Sequence, residues 1–191
     1  MRFTETTLPG AFLVELDQWV DDRGFFARSW CRREFAARGL NADFVQCNIG
    51  FSRHAGTLRG IHLQLAPHAE AKLVRCCRGS IHDVVVDLRP GSPTFRQWIG
   101  TELTADNHRM LYVPEGFGHG YQTLEDDTEI VYQTSEYYHA AHATGVRYDD
   151  PAFAFRWPLT VTRISDADRR WPSFDPGTWT GANVEPAGGA P

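Results

Sequence analysis

No stretch of this 191-residue chain approaches the roughly 18 consecutive apolar residues of a membrane-spanning helix, and no membrane association is expected. Positive charge is also scarce: 19 Lys and Arg stand against 24 Asp and Glu, a net charge of −5. That balance creates no general field for nucleic acid or an anionic surface, so an anionic ligand must be held by local Arg and Lys. Cysteines are few and lack metal-site spacing. Cys31 and Cys47 stand alone, while Cys76 and Cys77 are adjacent and would point to opposite faces of a strand. Isolated thiols of this kind fit a reducing, cytoplasmic setting. Met1-Arg2-Phe3-Thr4-Glu5 reaches an acidic residue too soon for a secretory signal. Internal repeats and blocks of like charge are missing as well.

Turn formers and aromatic residues are plentiful instead. Aromatics make up 13% of the chain, with 17 Gly and 11 Pro, which favours short strands over a helical bundle. Hydrophobic residues, at 42%, suffice for a full core, and the length fits one domain. Strand patterns recur at Ala11–Leu16, Phe44–Cys47, Thr57–Leu65, Leu73–Cys77, Ile81–Leu88, Phe95–Leu103, Met110–Val113, Gly120–Leu124 and Glu129–Thr134. Turn signals such as Arg78-Gly79-Ser80 and Pro90-Gly91 separate them. Cys31–Arg38, stopped by Gly39, is the one clear helical pattern. The chain therefore reads as an all-β, antiparallel jelly-roll barrel with one or two short helices. A single domain is expected over 1–177, followed by a disordered Gly-, Ala- and Pro-rich tail over 178–191.

Pro114-Glu115-Gly116-Phe117-Gly118-His119 resembles the second motif of cupins, small jelly-roll barrels whose interior holds the active site. The stretch matching their first motif is Gly60-Ile61-His62-Leu63-Gln64, where Gln64 replaces a second His. A three-His-plus-Glu cage is therefore not spelled out, and no metal is expected. His68 and Glu70 read as solvated loop residues beside Pro67. Strict alternation along this strand puts Arg59 opposite His62, unless Gly60 forms a bulge that turns both inward. With a tight turn near Gly79, Lys72 shares a face with Asp83 and Asp87, either of which could hold its ammonium.

Taken together, the motifs resemble the dTDP-4-dehydrorhamnose 3,5-epimerases, cupin-fold enzymes that need no metal. The resemblance spans about 3–170 and rests on Asp22-Arg23-Gly24-Phe25-Phe26, Leu58-Arg59-Gly60-Ile61-His62, Lys72-Leu73-Val74-Arg75, Asp83 to Arg89, Ser92-Pro93-Thr94-Phe95, Pro114 to Gly120, Tyr132 to Tyr138, Asp149-Asp150-Pro151, Trp157-Pro158 and Ile164 to Asp168. It implies proton abstraction and return at C3, C5 or both of a nucleotide-linked 4-keto-6-deoxyhexose, through an enolate. In that chemistry His62 is the base, Asp168 holds its ring, Tyr132 is the acid and Lys72 meets the oxyanion. Arg23, Phe26, Arg28, Gln46, Asn48, Arg59, His119 and Tyr138 fall at substrate-binding positions, and no cofactor is implied. A homodimer is implied too, with an exchanged N-terminal strand carrying Arg23 and Phe26 to the partner's site.

Three positions depart from the family pattern: Arg28 and Ala143 replace Glu, and Ala167 replaces Lys. All three touch nucleotide recognition, and Glu to Arg exchanges an acceptor for a donor. Three other readings stay open. They are a mono-epimerase on a non-thymidine nucleotide sugar, a metal-dependent cupin oxygenase or isomerase using His62, His68, Glu70 and His119, and a sugar-binding cupin without catalysis.

Overall fold

Alternating burial along the strands builds two sheets that share one core. In the computed structural model, which describes residues 1–181, the elements in chain order are β1 (Arg2–Glu5), β2 (Phe12–Glu15), β3 (Gln18–Asp21), β4 (Gly24–Ala27), α1 (Arg32–Ala36), β5 (Gln46–Ser52), β6 (Leu58–Gln64) and β7 (Lys72–Arg78). They continue as β8 (Ser80–Asp87), β9 (Trp98–Thr104), β10 (Met110–Val113), β11 (Phe117–Thr123), β12 (Thr128–Thr134), β13 (Ala143–Gly145) and α2 (Asp166–Arg169). One sheet has the order β1-β2-β10-β7-β12-β5 and the facing one β13-β6-β11-β8-β9, while β3 and β4 form a separate hairpin. The expected all-β, cupin-type jelly roll with short helices is the fold.

Side chains from both sheets meet in the central core. Val74, Cys76, Leu111, Val113 and Ile130 come from the first sheet, and Ile81, Val85, Leu103, Phe117 and Tyr121 from the second. Two further clusters seal the outer faces. Phe35 of α1 packs with Val14, Leu73, Met110 and Tyr112 over the first sheet. Val146, Phe153, Trp157 and Trp179 cover the second. The tail expectation begins too early, because the Trp179 indole N–H donates to the Leu88 carbonyl at 2.8 Å. Residues 182–191 of that expected tail lie outside the described residues.

Two departures from the sequence reading shape the site. β5 runs Gln46–Ser52, beyond the Phe44–Cys47 pattern, because pairing with β12 from Thr134↔Gln46 to Thr128↔Ser52 holds even Gly50 extended. On β6, Gly60 and Ile61 together oppose the single residue Gly120, since His119 pairs with His62 but Tyr121 with Arg59. This is a bulge. A side chain at Gly60 (φ +116°) would meet the Gly120 Cα at 2.5 Å and the His119 carbonyl oxygen at 2.8 Å, so only glycine fits.

Candidate active site

The bulge brings Arg59 and His62 to one side of β6, and both line a cavity of about 500 Å³ between the sheets. Lys72, His119, Tyr121, Tyr132, Arg163, Ser165 and Asp168 line it too. An adjoining cavity of about 470 Å³ is lined by Gln46, Asn48, Glu70, Tyr138 and Ala143. His62, Lys72 and Tyr132 line both cavities and so stand where the two lobes meet. His62 belongs to the five-stranded sheet, whereas Tyr132 on β12 and Lys72 on β7 belong to the six-stranded one.

His62 is held by a buried carboxylate. Its Nε2–H donates to Asp168 Oδ1 at 2.6 Å, while the ring remains half-exposed to the cavity. That contact fixes the proton on Nε2 and leaves Nδ1 as the ring nitrogen able to accept one. Asp168 is oriented in turn: its Oδ2 accepts the Gly60 N–H at 3.3 Å, and its own N–H donates to the Ser165 hydroxyl, which caps α2. Burial alone would raise the Asp168 carboxyl, but the hydrogen bond and charge of His62, with those of Gly60 and Ser165, hold it below the ordinary range.

Tyr132 has the opposite character. Burial first, then the nearby Glu70 charge, push its phenol above the usual value, with Arg59 pulling slightly the other way. It therefore keeps its proton at neutral pH, as an acid must. Lys72 is the only lysine of the chain and is nearly buried. It shares the inward face with Asp83 and Asp87 as expected, yet neither holds it. Asp83 engages His119 Nε2 at 2.9 Å, and Asp87 takes Arg89, Ser92 and Thr94. Glu70 is the partner instead, its Oε1 lying 3.1 Å from Lys72 Nζ. The solvated-loop reading of Glu70 fails because the turn after β6 folds back and buries it, and the Gln64 amide also donates to its Oε2 at 3.3 Å.

Positive charge in the cleft is available to a ligand. Arg59 donates to the Phe51 carbonyl and the Ser52 hydroxyl, and neither Arg59 nor Arg163 meets a carboxylate among the described residues. Gln46 accepts the Tyr138 N–H at 2.9 Å, which sets the loop carrying that aromatic ring. The departure at Ala143 leaves a methyl in the second cavity, and Ala167 sits exposed on α2. Arg23, Phe26 and Arg28 do not reach the cleft of their own chain. Arg23 and Phe26 are exposed on the β3–β4 hairpin, and Arg28 lines a separate groove with Cys47, Arg75 and Gln133, 3.6 Å from Glu34.

The four ligands of the metal-dependent reading are not brought together among the described residues. His62 is engaged by Asp168, His119 by Asp83 and Glu70 by Lys72. Sequence reasoning missed Arg163 and Ser165 as site residues, and weighed Glu70 only as a solvated loop residue or a metal ligand, not as the partner of Lys72. For Ser165 a signal existed: Ser-x-x-Asp is an N-cap pattern that places Asp168 at the start of a helix.

Comparison with known proteins follows the same lines. Residues 5–176 match the family model described as dTDP-4-dehydrorhamnose 3,5-epimerase. The Shigella flexneri dTDP-4-dehydrorhamnose 3,5-epimerase is 41% identical over 169 residues, covering 88% of this chain and 93% of that protein. The crystal structure of the Bacillus anthracis enzyme of that name, with TDP and PPi bound, is 45% identical with a TM-score of 0.87, covering 91% of this chain and 99% of that one. The Legionella pneumophila dTDP-6-deoxy-D-glucose-3,5-epimerase, in complex with dTDP-4-keto-L-rhamnose, is 35% identical with a TM-score of 0.82, covering 87% of this chain and 89% of that one.

Proposed function

This chain belongs to the dTDP-4-dehydrorhamnose 3,5-epimerase family and is an isomerase of carbohydrates, and on that premise we propose how its own residues do the work. The substrate is a dTDP-linked 4-keto-6-deoxyhexose. Its C4 ketone acidifies the hydrogens on C3 and C5, so removal of either gives an enolate. His62 Nδ1 takes the proton, and Asp168 stabilises the imidazolium that forms. Tyr132 returns a proton from the other side of the ring, which inverts the carbon. Lys72, held by Glu70, faces the developing oxyanion, while Arg59 and Arg163 meet the diphosphate. Proton removal and return require neither a redox cofactor nor a metal.

The observation that carries this reading is the placement of base and acid on opposite sheets facing one cleft. Inversion needs a donor and an acceptor on opposite faces of one planar enolate. The test is exchange with deuterated water. His62→Asn should keep the fold and abolish deuterium uptake at C3 and C5, and full uptake in that variant would overturn the assignment.

We further propose a cytoplasmic homodimer in which the β3–β4 hairpin completes the partner's site. Trp19, Val20 and Phe26 are exposed to 59%, 74% and 71%, and Ile49 on the edge strand β5 to 69%. A hairpin so apolar is poorly suited to lie free in water. Arg23 and Phe26 then act across the interface. Hybrids of an inactive His62→Asn chain with an inactive Arg23→Ala chain should regain activity, because one intact site per pair is restored. Absence of rescue in verified hybrids would count against a shared site.

A further inference from the structure

Beside the second cavity, Gln64 ties two loops together. Its amide donates to the His68 and Tyr137 carbonyls at 3.1 and 3.0 Å, and its oxygen accepts the His139 N–H at 2.6 Å. This knot lays the His68 ring on the His139 ring, with centroids 3.5 Å apart and planes 20° from parallel. The Glu136 carboxylate caps the pair, with Oε2 3.8 Å from His68 Nδ1 and Oε1 3.9 Å from His139 Nε2. These separations are too long for hydrogen bonds. They are close to the ~3.3–3.6 Å between two atoms bound to one tetrahedral ion at ~2.0–2.2 Å. His68 Nδ1 is moreover buried without a hydrogen-bond partner among the described residues, although a buried ring nitrogen normally has one.

We propose that His68 Nδ1, His139 Nε2 and Glu136 form a binding site for a divalent transition ion of the zinc type. Two imidazoles and a carboxylate are a borderline-soft, three-ligand set that suits zinc and leaves an open position for water, the two rings turning out of their stack so that their in-plane lone pairs converge on the ion. The site is separate from the proton-transfer centre, where Asp168 and Asp83 already engage His62 and His119. Its ion would staple the turn at 66–70, which carries Glu70, to the loop at 135–142, which carries Tyr138. Both of those residues line the second cavity, so metal binding would stiffen the cavity wall and take no part in the chemistry.

The probes are Zn²⁺ alone and Co²⁺ alone, titrated against chelator-treated full-length protein in competition with a chromophoric indicator. One ion per chain should bind, and the Co²⁺ form should show the intense visible absorption of a tetrahedral site. Zn²⁺ should also raise the melting temperature. Loss of an outer-shell partner costs ~10–100-fold in affinity, so loss of a ligand in His139→Ala or Glu136→Gln should cost at least ~100-fold. Glu136→Gln changes little in size and keeps the test sound if His139→Ala fails to fold. His62→Asn should bind zinc like the parent. Absence of saturable one-to-one binding would overturn the site, as would affinity that survives in Glu136→Gln or is lost in His62→Asn.

Discussion

Gly60→Ala is the most demanding test of how the fold makes the site. The new Cβ would stand 2.5 Å from the Gly120 Cα, 2.8 Å from the His119 carbonyl oxygen and 3.3 Å from the Gly120 nitrogen. All three are backbone atoms of β11, the strand between β6 and β8, so none can swing aside as a side chain would. Overpacking of this kind costs ~1–3 kcal/mol, and the left-handed backbone (φ +116°) adds ~1–2 kcal/mol for an L-residue, or ~2–5 kcal/mol together. For a chain of this size that corresponds to a fall of ~4–20 °C in melting temperature. The strand can relieve the clash by flattening the bulge, which returns Arg59 and His62 to opposite faces. Misplacement by ~1 Å is enough to cost ~10²-fold in rate. Gly91→Ala provides the comparison, since Gly91 also has a positive φ (+79°) but nothing within 4 Å of the added methyl. Thermal unfolding and deuterium uptake at saturating substrate, measured on both variants, separate contact from conformation. The reasoning is refuted if Gly60→Ala melts no lower than Gly91→Ala, or turns over like the parent.

Asp168→Asn should lower kcat by ~10²-fold or more through a misoriented imidazole, with parental kcat removing Asp168 from the mechanism. Because the Asp168 carboxyl is held below its unfolded value of ~3.9, its stabilising effect is full above that value and is lost as pH falls through the lower folded value. Melting temperatures between pH 3 and 7 should therefore decline less steeply at the acid end in Asp168→Asn than in the parent. Tyr132→Phe should slow inversion by ~10²–10⁴-fold while substrate hydrogen still washes out through His62, and inversion at the parental rate would require another acid. Lys72→Ala should cost ~2–4 kcal/mol in kcat, as a lost oxyanion partner does. Glu70→Gln should do part of the same damage, and adding it to Lys72→Ala should change nothing more, whereas additive losses would separate the two residues.

The strands were legible wherever Gly, Pro or acidic turns bounded an apolar run, and Met110–Val113 coincides with β10. Elements that depend on distant pairing were not. β13 is only Ala-Thr-Gly and is a strand solely because it pairs with Leu63 and its neighbours on β6. The β3–β4 hairpin is exposed on both strands and so has no in–out alternation to read. At the site, the condition placed on Gly60 was the right one, but alternation alone could not decide it. What decides it is the close approach of β11. The partner of Lys72 was misread for a related reason: strand register brings Asp83 to the correct face but does not show that His119 already occupies it. Asp168 was reached through resemblance, since it lies 106 residues from His62 and no local pattern links the two. Arg23, Phe26 and Arg28 were also assigned by resemblance, and a single chain leaves them outside its cleft.

The opposite-sheet origin of His62 and Tyr132 makes their separation a dimension of the building. Stacked sheets stand ~10 Å apart, a spacing set by the bulk of the side chains between them. Here those spacers are Val74, Val85, Leu111 and Ile130, aliphatic residues of the central core without ionisable groups. They act as the gauge blocks of the enzyme. A methylene added or removed in that layer moves two walls rather than one side chain, and with them the gap across which a flat enolate must receive its proton. On the proposed mechanism, stereochemical outcome is thus partly a matter of hydrocarbon volume, and a conservative Val-to-Ile change far from the sugar is also a change in the width of the reaction vessel.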